Sequence, residues 1–391
     1  GTWCGGERGE KEPNSARVIL HFDVDCFYCQ VEELRDPSLR LKPVAICQKY
    51  IVVTSNYPAR ELGVGKLVRI TEALKIVPDL TLVNGEDLTP YRNVSKQIYS
   101  VLSRFGVAER MGMDEVWVDV TDRCRAEADR LVRDGGESPG WVGHLHRSSV
   151  LVSASGCRVQ DIRVEEGHSG DRGGGDYGNQ ESESVPFSDL LLRVGCRLAQ
   201  EARDTVKREV GIRCSGGIAH NKILAKLVSS LHKPDQQTVL PSKEAYDFLT
   251  PLDVRVVKGV GSRTARKLTA LGAKTCGELR GMKRDKLIEE FGERIGSFLH
   301  EVCRGRDADE VKETKAPKSI SVEDSFRSCS SMEAVADVVR VLTPDLINLV
   351  WEDATEHARR PSTLTVKWRF RRTYSADGKR SHAVVKVGPS G

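Results

Sequence analysis

The sequence predicts an α+β protein of several domains, on three observations. Apolar stretches of strand period alternate with stretches of helical period from Val18 to Leu240. Two of the strands end in carboxylate clusters, HFDVD at His21–Asp25 and MDEVWVDV at Met113–Val120. Beyond Val257 the pattern becomes helical and strongly basic.

Size and composition fit that class. A chain of 391 residues, 39% hydrophobic and 30% charged, has room for about two to four domains with sizeable cores. No run of about 18 apolar residues occurs, so no membrane span is expected. The opening GTWCGGERGEKEPNSAR has no apolar core of the secretory kind. Eleven scattered cysteines point to a reducing compartment and free thiols. Cys26 and Cys29 form a lone CxxC, which reads as small apolar packing rather than a zinc or redox pair. The net charge of +4 is unremarkable, but its distribution is not. Arg255 to Lys286 holds ten basic residues against two acids, and His357 to Thr373 holds six against none. Such local surfaces are expected where a protein meets phosphates.

The elements follow in order. Residues 1–15 read as a disordered leader. Val18 to Phe22 is a strand, followed by a helix carrying Phe27, Val31 and Leu34. PVAICQKYIVVT at Pro43–Thr54 reads as a strand pair, with a helix from about Tyr57. Thr89 and Pro90 signal an N-cap and first turn, opening a helix with Tyr91, Val94, Ile98, Val101 and Phe105 on one face. Val116, Val118 and Val120 then mark one buried strand face. From 122 to 187 the chain is polar and Gly-rich, as expected of a flexible insertion with a short hairpin. His144, His146, Cys157 and His168 lie within it at no recognised ligand spacing and are expected on mobile loop. Order resumes in a helix striped by Leu191, Val194, Leu198, Ala202 and Val206 and ended by Gly211. A strand at Ile212–Ala219 and the segment NKILAKLVSSLHKPDQQTVL complete the region.

Carboxylates crowded at adjacent strand ends ionise together only beside a cation. Mg²⁺ suits that place because it takes few protein oxygens and completes its octahedron with water and substrate phosphates. Two such ions can clamp the attacking and leaving oxygens of a phosphoryl displacement.

Four segments now add a resemblance. DVDCFYCQVEE, TSNYPARELGV, MDEVWVDV and GGIAHNKILAKLVSSLHKP occur in the order seen in Y-family (translesion) DNA polymerases, and the likeness spans about Arg17 to Pro234. It implies a right-hand polymerase with a palm at 16–26 and 88–243, interrupted by the insertion at 122–187. Fingers at 27–87, a helical thumb with a helix-hairpin-helix at 244–312, and a partial α/β little finger at 318–391 complete it. The little finger reads as incomplete, as if the chain were part of a longer protein.

The implied activity is template-directed addition of deoxynucleotides to a primer 3′-hydroxyl, in translesion synthesis. It is of low fidelity, and no nuclease motif for proofreading is evident. Asp23, Val24 through its carbonyl, Asp114 and Glu115 match the family's metal positions, for two Mg²⁺ ions or Mn²⁺ in their place. The resemblance implies that Asp23, Asp114 and Glu115 are the catalytic acids. Asp25 and Asp119 are expected to be structural. Tyr28 matches the steric gate, whose flat ring leaves no room for a ribose 2′-hydroxyl. Thr54, Tyr57, Arg60 and Lys233 match the triphosphate-binding positions, with Tyr57 and Arg60 three apart on one helix face. Lys222 and Lys226 are expected to face solvent or the DNA backbone. The resemblance implies that Gln48 and Lys49 lie beside the template base.

Two later segments extend the likeness. In Val257–Gly272, VKGVGSRTARKLTALG, Gly259 and Gly261 let backbone N–H groups approach a DNA phosphate. In LTVKWRFRR, Leu364, Val366 and Trp368 are expected to pack on a helix at Met332–Leu342, while Lys367, Arg369 and Arg371 face DNA. The implied partners are primer-template DNA and deoxynucleoside triphosphates, with the replication clamp and other translesion factors reached through regions outside this chain. No membrane partner is expected, and the implied compartment is the nucleus. The rival readings are a non-catalytic DNA-binding scaffold and another branch of the same family.

Overall fold

The structure, a computed structural model, describes residues 17–136, 138–146, 186–324, 326, 329–369 and 382–387. The expected leader at 1–15, Cys157, His168 and Arg371 lie outside the described residues. The chain divides into two compact units, 1–314 and 315–391.

In the first unit, β1 (Ile19–Val24) runs into α1 (Phe27–Arg35). A small sheet follows, built from β2 (Val44–Gln48), β3 (Ile51–Ser55), β4 (Val68–Arg69) and β5 (Thr81–Asn84), in the order β4-β3-β2-β5. Helices α2 (Tyr57–Glu61) and α3 (Ile70–Ile76) connect its strands. Asn56 caps α2 by accepting the Ala59 N–H at 3.1 Å, so the strand ending at Ser55 turns directly into the helix that carries Arg60.

Helix α4 (Thr89–Leu102) returns the chain to the larger sheet. Thr89 is its first residue rather than its cap; the Asp87 carboxylate accepts the Thr89 N–H at 2.9 Å. Next come β6 (Val107–Met111), β7 (Glu115–Asp119), α5 (Thr121–Arg133), β8 (His144–Leu145), α6 (Phe187–Val210), β9 (Cys214–Ala219), α7 (Lys222–Val228) and β10 (Gln237–Val239). The six strands are ordered β6-β7-β1-β9-β10-β8. Both faces of this sheet are covered. Leu20, Phe22, Val116 and Val118 pack against α4, α5 and α6 residues, while Ile19, Trp117 and Ala219 join α7 in a second core.

The expected insertion therefore begins later than 122. Cys124 and Ala128 are fully buried on one face of α5, and small residues there bury too little apolar surface to reveal a helix by periodicity. His144 lies in β8, parallel to β10, and stacks on His232 at 3.8 Å; His146 meets Phe248 edge-on at 4.9 Å. Both histidines pack in the fold rather than lie on mobile loop.

The first unit ends in short helices: α8 (Ala245–Leu249), α9 (Ser262–Ala270), α10 (Cys276–Arg280), α11 (Arg284–Phe291) and α12 (Glu293–Val302). Gly259 precedes α9 with φ 98°, and a Cβ there would lie 2.9 Å from the Phe298 ring. Glycine is required on both counts.

The second unit holds α13 (Met332–His357) and an antiparallel pair, β11 (Leu364–Arg369) and β12 (His382–Val387). The helix continues past Leu342 through Pro344 to His357. Leu364, Val366 and Trp368 remain 53%, 48% and 39% exposed, so the expected burial of that strand face does not occur.

Candidate active site

Strand pairing assembles the acidic groups. β1 and β7 are antiparallel with Asp23 opposite Glu115, and the Val24 N–H donates to the Asp114 carbonyl at 2.9 Å. Two clusters some ninety positions apart in the chain thus meet at one sheet end. They border a cleft of about 290 Å³ lined by Asp23, Val24, Cys26, Phe27, Tyr28, Val53, Thr54, Arg60, Lys66, Met113, Asp114, Glu115 and Lys233.

The carboxylates are unequal. Burial pushes Asp114 up, and the charges of Asp23 and Glu115 push it further. Burial also opposes ionisation of Glu115, but hydrogen bonds from His21 and Lys226 outweigh it and hold that carboxyl at about 2. Lys233 pairs with Asp23. These carboxylates and the Val24 backbone form a hard, anionic oxygen set. Asp114 is raised by burial first and by its two acidic neighbours second, and a cation beside it would offset both. Such a set fits a divalent cation of the Mg²⁺ kind. Among the described residues no three acidic, histidine or cysteine side chains are placed, as they stand, to hold a metal ion together.

Asp25 is structural. It is 2% exposed and accepts from Ser215 Oγ at 2.9 Å, from the Asp235 N–H at 2.8 Å and from the Tyr57 hydroxyl at 3.3 Å. Asp119 accepts the Thr121 N–H at 2.9 Å, at the start of α5. Cys26 and Cys29 are 8% and 0% exposed free thiols packed with Leu39, Val44 and Ile46.

Opposite the acids stand cations and aromatics. Tyr28 stacks on Tyr91 with ring centroids 4.2 Å apart. Arg60 donates to Thr54 Oγ1 at 3.3 Å, and its Nε is buried with no hydrogen-bond partner among the described residues. Arg60 lines the cleft, and a guanidinium in that place suits an anionic ligand such as phosphate. Tyr57 does not line the cleft; its ring lies 5.0 Å beneath the Arg60 guanidinium, and burial, then Asp25, push its phenol up. Gln48 and Lys49 also lie off the cleft lining. The Gln48 amide donates to the Gly85 carbonyl at 2.8 Å, and the Lys49 N–H donates to Glu86 at 2.9 Å.

Several residues had no role in the sequence reading. Lys66 lines the cleft from the turn after α2. His21 contacts Glu115 and is itself bonded to Ser229 and packed on Trp117. Lys222 and Lys226, expected at the surface, are turned inward. Lys222 is 3% exposed and pairs with Glu109 at 2.8 Å and Asp309 at 2.7 Å, while Lys226 bonds to Glu115. Their i,i+4 spacing shows that they share a face but not what that face meets. Only His21 carried a signal: an imidazole set within an apolar strand, two residues before Asp23.

Gly261 caps α9 with open space at its Cβ position, and Gly259 precedes it. Lys367 is exposed on β11, Arg369 ends that strand, and Arg371 lies outside the described residues.

This combination of sheet-end carboxylates, aromatic wall and cations brings together the kinds of group that phosphoryl-transfer chemistry uses. The sequence model of the impB/mucB/samB family matches residues 22–230, and the chain belongs to that family. A second model, described as DNA polymerase-iota, thumb domain, matches residues 257–307. The chain is similar to DNA polymerase iota of Homo sapiens, with 34% identity over 96% of this chain and 47% of that protein. It is similar to DNA polymerase iota of Drosophila melanogaster at 37% identity, over 95% of this chain and 46% of that protein. DNA polymerase IV of Ralstonia nicotianae is 30% identical over 84% of this chain and 74% of that protein. The chain thus spans about half the length of the iota relatives it matches.

Proposed function

We propose that this chain carries the catalytic part of a template-directed DNA polymerase of low fidelity, without proofreading, acting in translesion synthesis in the nucleus. The observation that carries this reading is the single cleft in which Asp23, Asp114 and Glu115 oppose Tyr28, Thr54, Arg60, Lys66 and Lys233. In this reading the six-stranded sheet is the palm and the four-stranded sheet the fingers. The helices after Pro241 form the thumb, and the second unit forms part of a little finger.

Asp23, Val24, Asp114 and Glu115 would hold two Mg²⁺ ions, or Mn²⁺ in their place. Bound there, such ions supply charge to the attacking and leaving oxygens of an in-line displacement. Arg60, Thr54 and Lys233 bind the incoming triphosphate, Lys233 exchanging its Asp23 partner for a phosphate. Tyr57 supports Arg60 from beneath. Tyr28, braced by Tyr91, bars a 2′-hydroxyl and so selects deoxyribose. Gly259, Gly261, Lys367, Arg369 and Arg371 contact primer-template DNA, and the replication clamp and other translesion factors are further partners.

Gln48 and Lys49 act on the template base through the loop they pin at Gly85 and Glu86. The similarity to DNA polymerase iota favours a narrowed pairing geometry there, accurate opposite template A and error-prone opposite template T. Primer extension with Mg²⁺ and all four deoxynucleotides tests the activity, and single insertions opposite each template base test the bias. Binding of primer-template without any extension would favour the non-catalytic scaffold and overturn the polymerase reading.

A further inference from the structure

Glu115 is held asymmetrically. His21 Nε2 lies 3.2 Å from Oε2, and the Lys226 ammonium bonds to the same oxygen. Among the described residues no hydrogen bond falls on Oε1, although Glu115 lines the cleft.

The ring that makes this contact is locked. His21 is 0% exposed, and β1 places it opposite Trp117, whose ring lies 5.0 Å away at 55°. Trp117 is itself fixed by donating Nε1–H to the Lys222 carbonyl at 3.0 Å. The other imidazole nitrogen, Nδ1, lies 2.8 Å from Ser229 Oγ. A carboxylate only accepts, so the ring proton facing Glu115 is on Nε2. In the neutral ring Nδ1 is then a lone pair, and the Ser229 hydroxyl donates to it. The same hydroxyl donates to the Lys226 carbonyl at 2.8 Å, so its one proton is shared between that carbonyl and the ring nitrogen, which has no other donor among the described residues. The chain of donors runs Ser229 to His21 to Glu115.

Helix α7 delivers both Lys226 and the Ser229 that follows it. It lies close enough on the sheet that a Cβ at Gly217 would fall 1.9 Å from the Ala225 carbonyl oxygen. The backbone that carries Lys226 and Ser229 is therefore fixed against β9.

We propose that His21 is a positioning residue which, backed by Ser229 and flanked by Lys226, rotates Glu115 so that Oε1 is the oxygen presented to the divalent cation and the primer terminus. This rests on the polymerase reading of the cleft. The geometry distinguishes two ends of one ring. In His21→Gln the side-chain amide nitrogen reaches the Nε2 position and still donates to Glu115. In His21→Asn the shorter amide reaches only the Nδ1 position, so Glu115 loses its donor while the Ser229 side keeps a partner.

The experiment measures Mn²⁺ binding by calorimetry to the complex with a dideoxy-terminated primer-template and a complementary deoxynucleotide, so that no chemistry intervenes. His21→Asn should weaken Mn²⁺ binding by about 10-fold or more, as loss of a partner behind a metal ligand does. In extension assays kcat should fall with it while nucleotide KM and DNA Kd stay at wild-type values. His21→Gln should restore most of the affinity. Wild-type Mn²⁺ affinity in His21→Asn overturns the proposal. Equal losses in His21→Asn and His21→Gln, with equal falls in Tm, also overturn it, because they mark a packing role. Ser229→Ala keeps the ring and carries the test should either His21 variant fail to fold; unchanged Mn²⁺ affinity there overturns the proposal. A wild-type complex that neither binds Mn²⁺ nor extends a primer brings down the polymerase reading itself, whereas normal wild-type behaviour with an unaffected His21→Asn brings down only the role of His21.

Discussion

Asp114 and Glu115 are neighbours with opposite electrostatic biases, one pushed up by burial and its acidic neighbours, the other held down at about 2 by His21 and Lys226 against burial. Glu115 is thus charged before any ligand arrives, and Asp114 gains most from an incoming cation. Tyr28 is comparably specialised. Its ring is braced by Tyr91 at 4.2 Å, with Phe27 at 5.7 Å. Tyr28→Ala should raise the ratio of ribonucleotide to deoxynucleotide incorporation by roughly 10-fold or more, the scale of a removed steric clash. Tyr28→Phe should leave the ratio near wild type, since the ring remains. An active Tyr28→Ala enzyme with an unchanged ratio would make Tyr28 a core aromatic and put the gate elsewhere.

At the scale of elements, the site depends on α7 lying flush against β9. Gly217→Ala should destabilise the fold by about 1–3 kcal/mol, the cost of overpacking a filled contact, because the new Cβ meets backbone that cannot yield. Urea unfolding reads that loss, and a neutral result would show that α7 can lift. The segment after Arg306 depends on the same helix. Thr314 N–H donates to the Ala108 carbonyl at 3.2 Å, Arg110 N–H to Thr314 Oγ1 at 2.7 Å, and Lys312 N–H to Glu109 at 2.9 Å. Residues up to Thr314 are thereby laid along the outer strand β6, with Lys222 tying Asp309 to Glu109. Lys222→Ala should cost about 1–3 kcal/mol and speed amide exchange in 307–314, since two carboxylates lose their shared cation. Unchanged exchange there would show that the strap is held without Lys222. Much of this level was legible in the sequence: the strands at Ile19 and Glu115 announce themselves by apolar alternation ending in acids. The inward turn of Lys222 and Lys226 was not, because a helical stripe of lysine looks the same whether it meets water or buried carboxylates. Helix α5 escapes for the reverse reason, its buried face being made of Cys124 and Ala128 within a charged run.

At the scale of the whole molecule, the order of the acidic and basic segments was readable, and the meeting of Asp23 with Glu115 followed once both were recognised as strand ends. The backing of Glu115 by His21 and Ser229 was not readable, since it depends on β1, β7 and α7 converging from three distant stretches. The basic segment from Ser362 onward offers a test at this scale. Its removal should weaken DNA binding and lower the log–log salt slope by roughly 0.9 for each duplex phosphate that is no longer neutralised. An identical slope would remove this strand from the DNA surface. The central claim, that the cleft at the end of β1 and β7 performs metal-assisted nucleotide addition, is tested most directly by single insertion of one complementary deoxynucleotide with Mg²⁺. Wild type and Asp114→Ala are compared on the same primer-template, with DNA affinity measured alongside. The account predicts insertion by wild type, insertion at background in Asp114→Ala, and the same DNA Kd for both. Substantial insertion by Asp114→Ala, or a wild type that binds the DNA and inserts nothing, would contradict it.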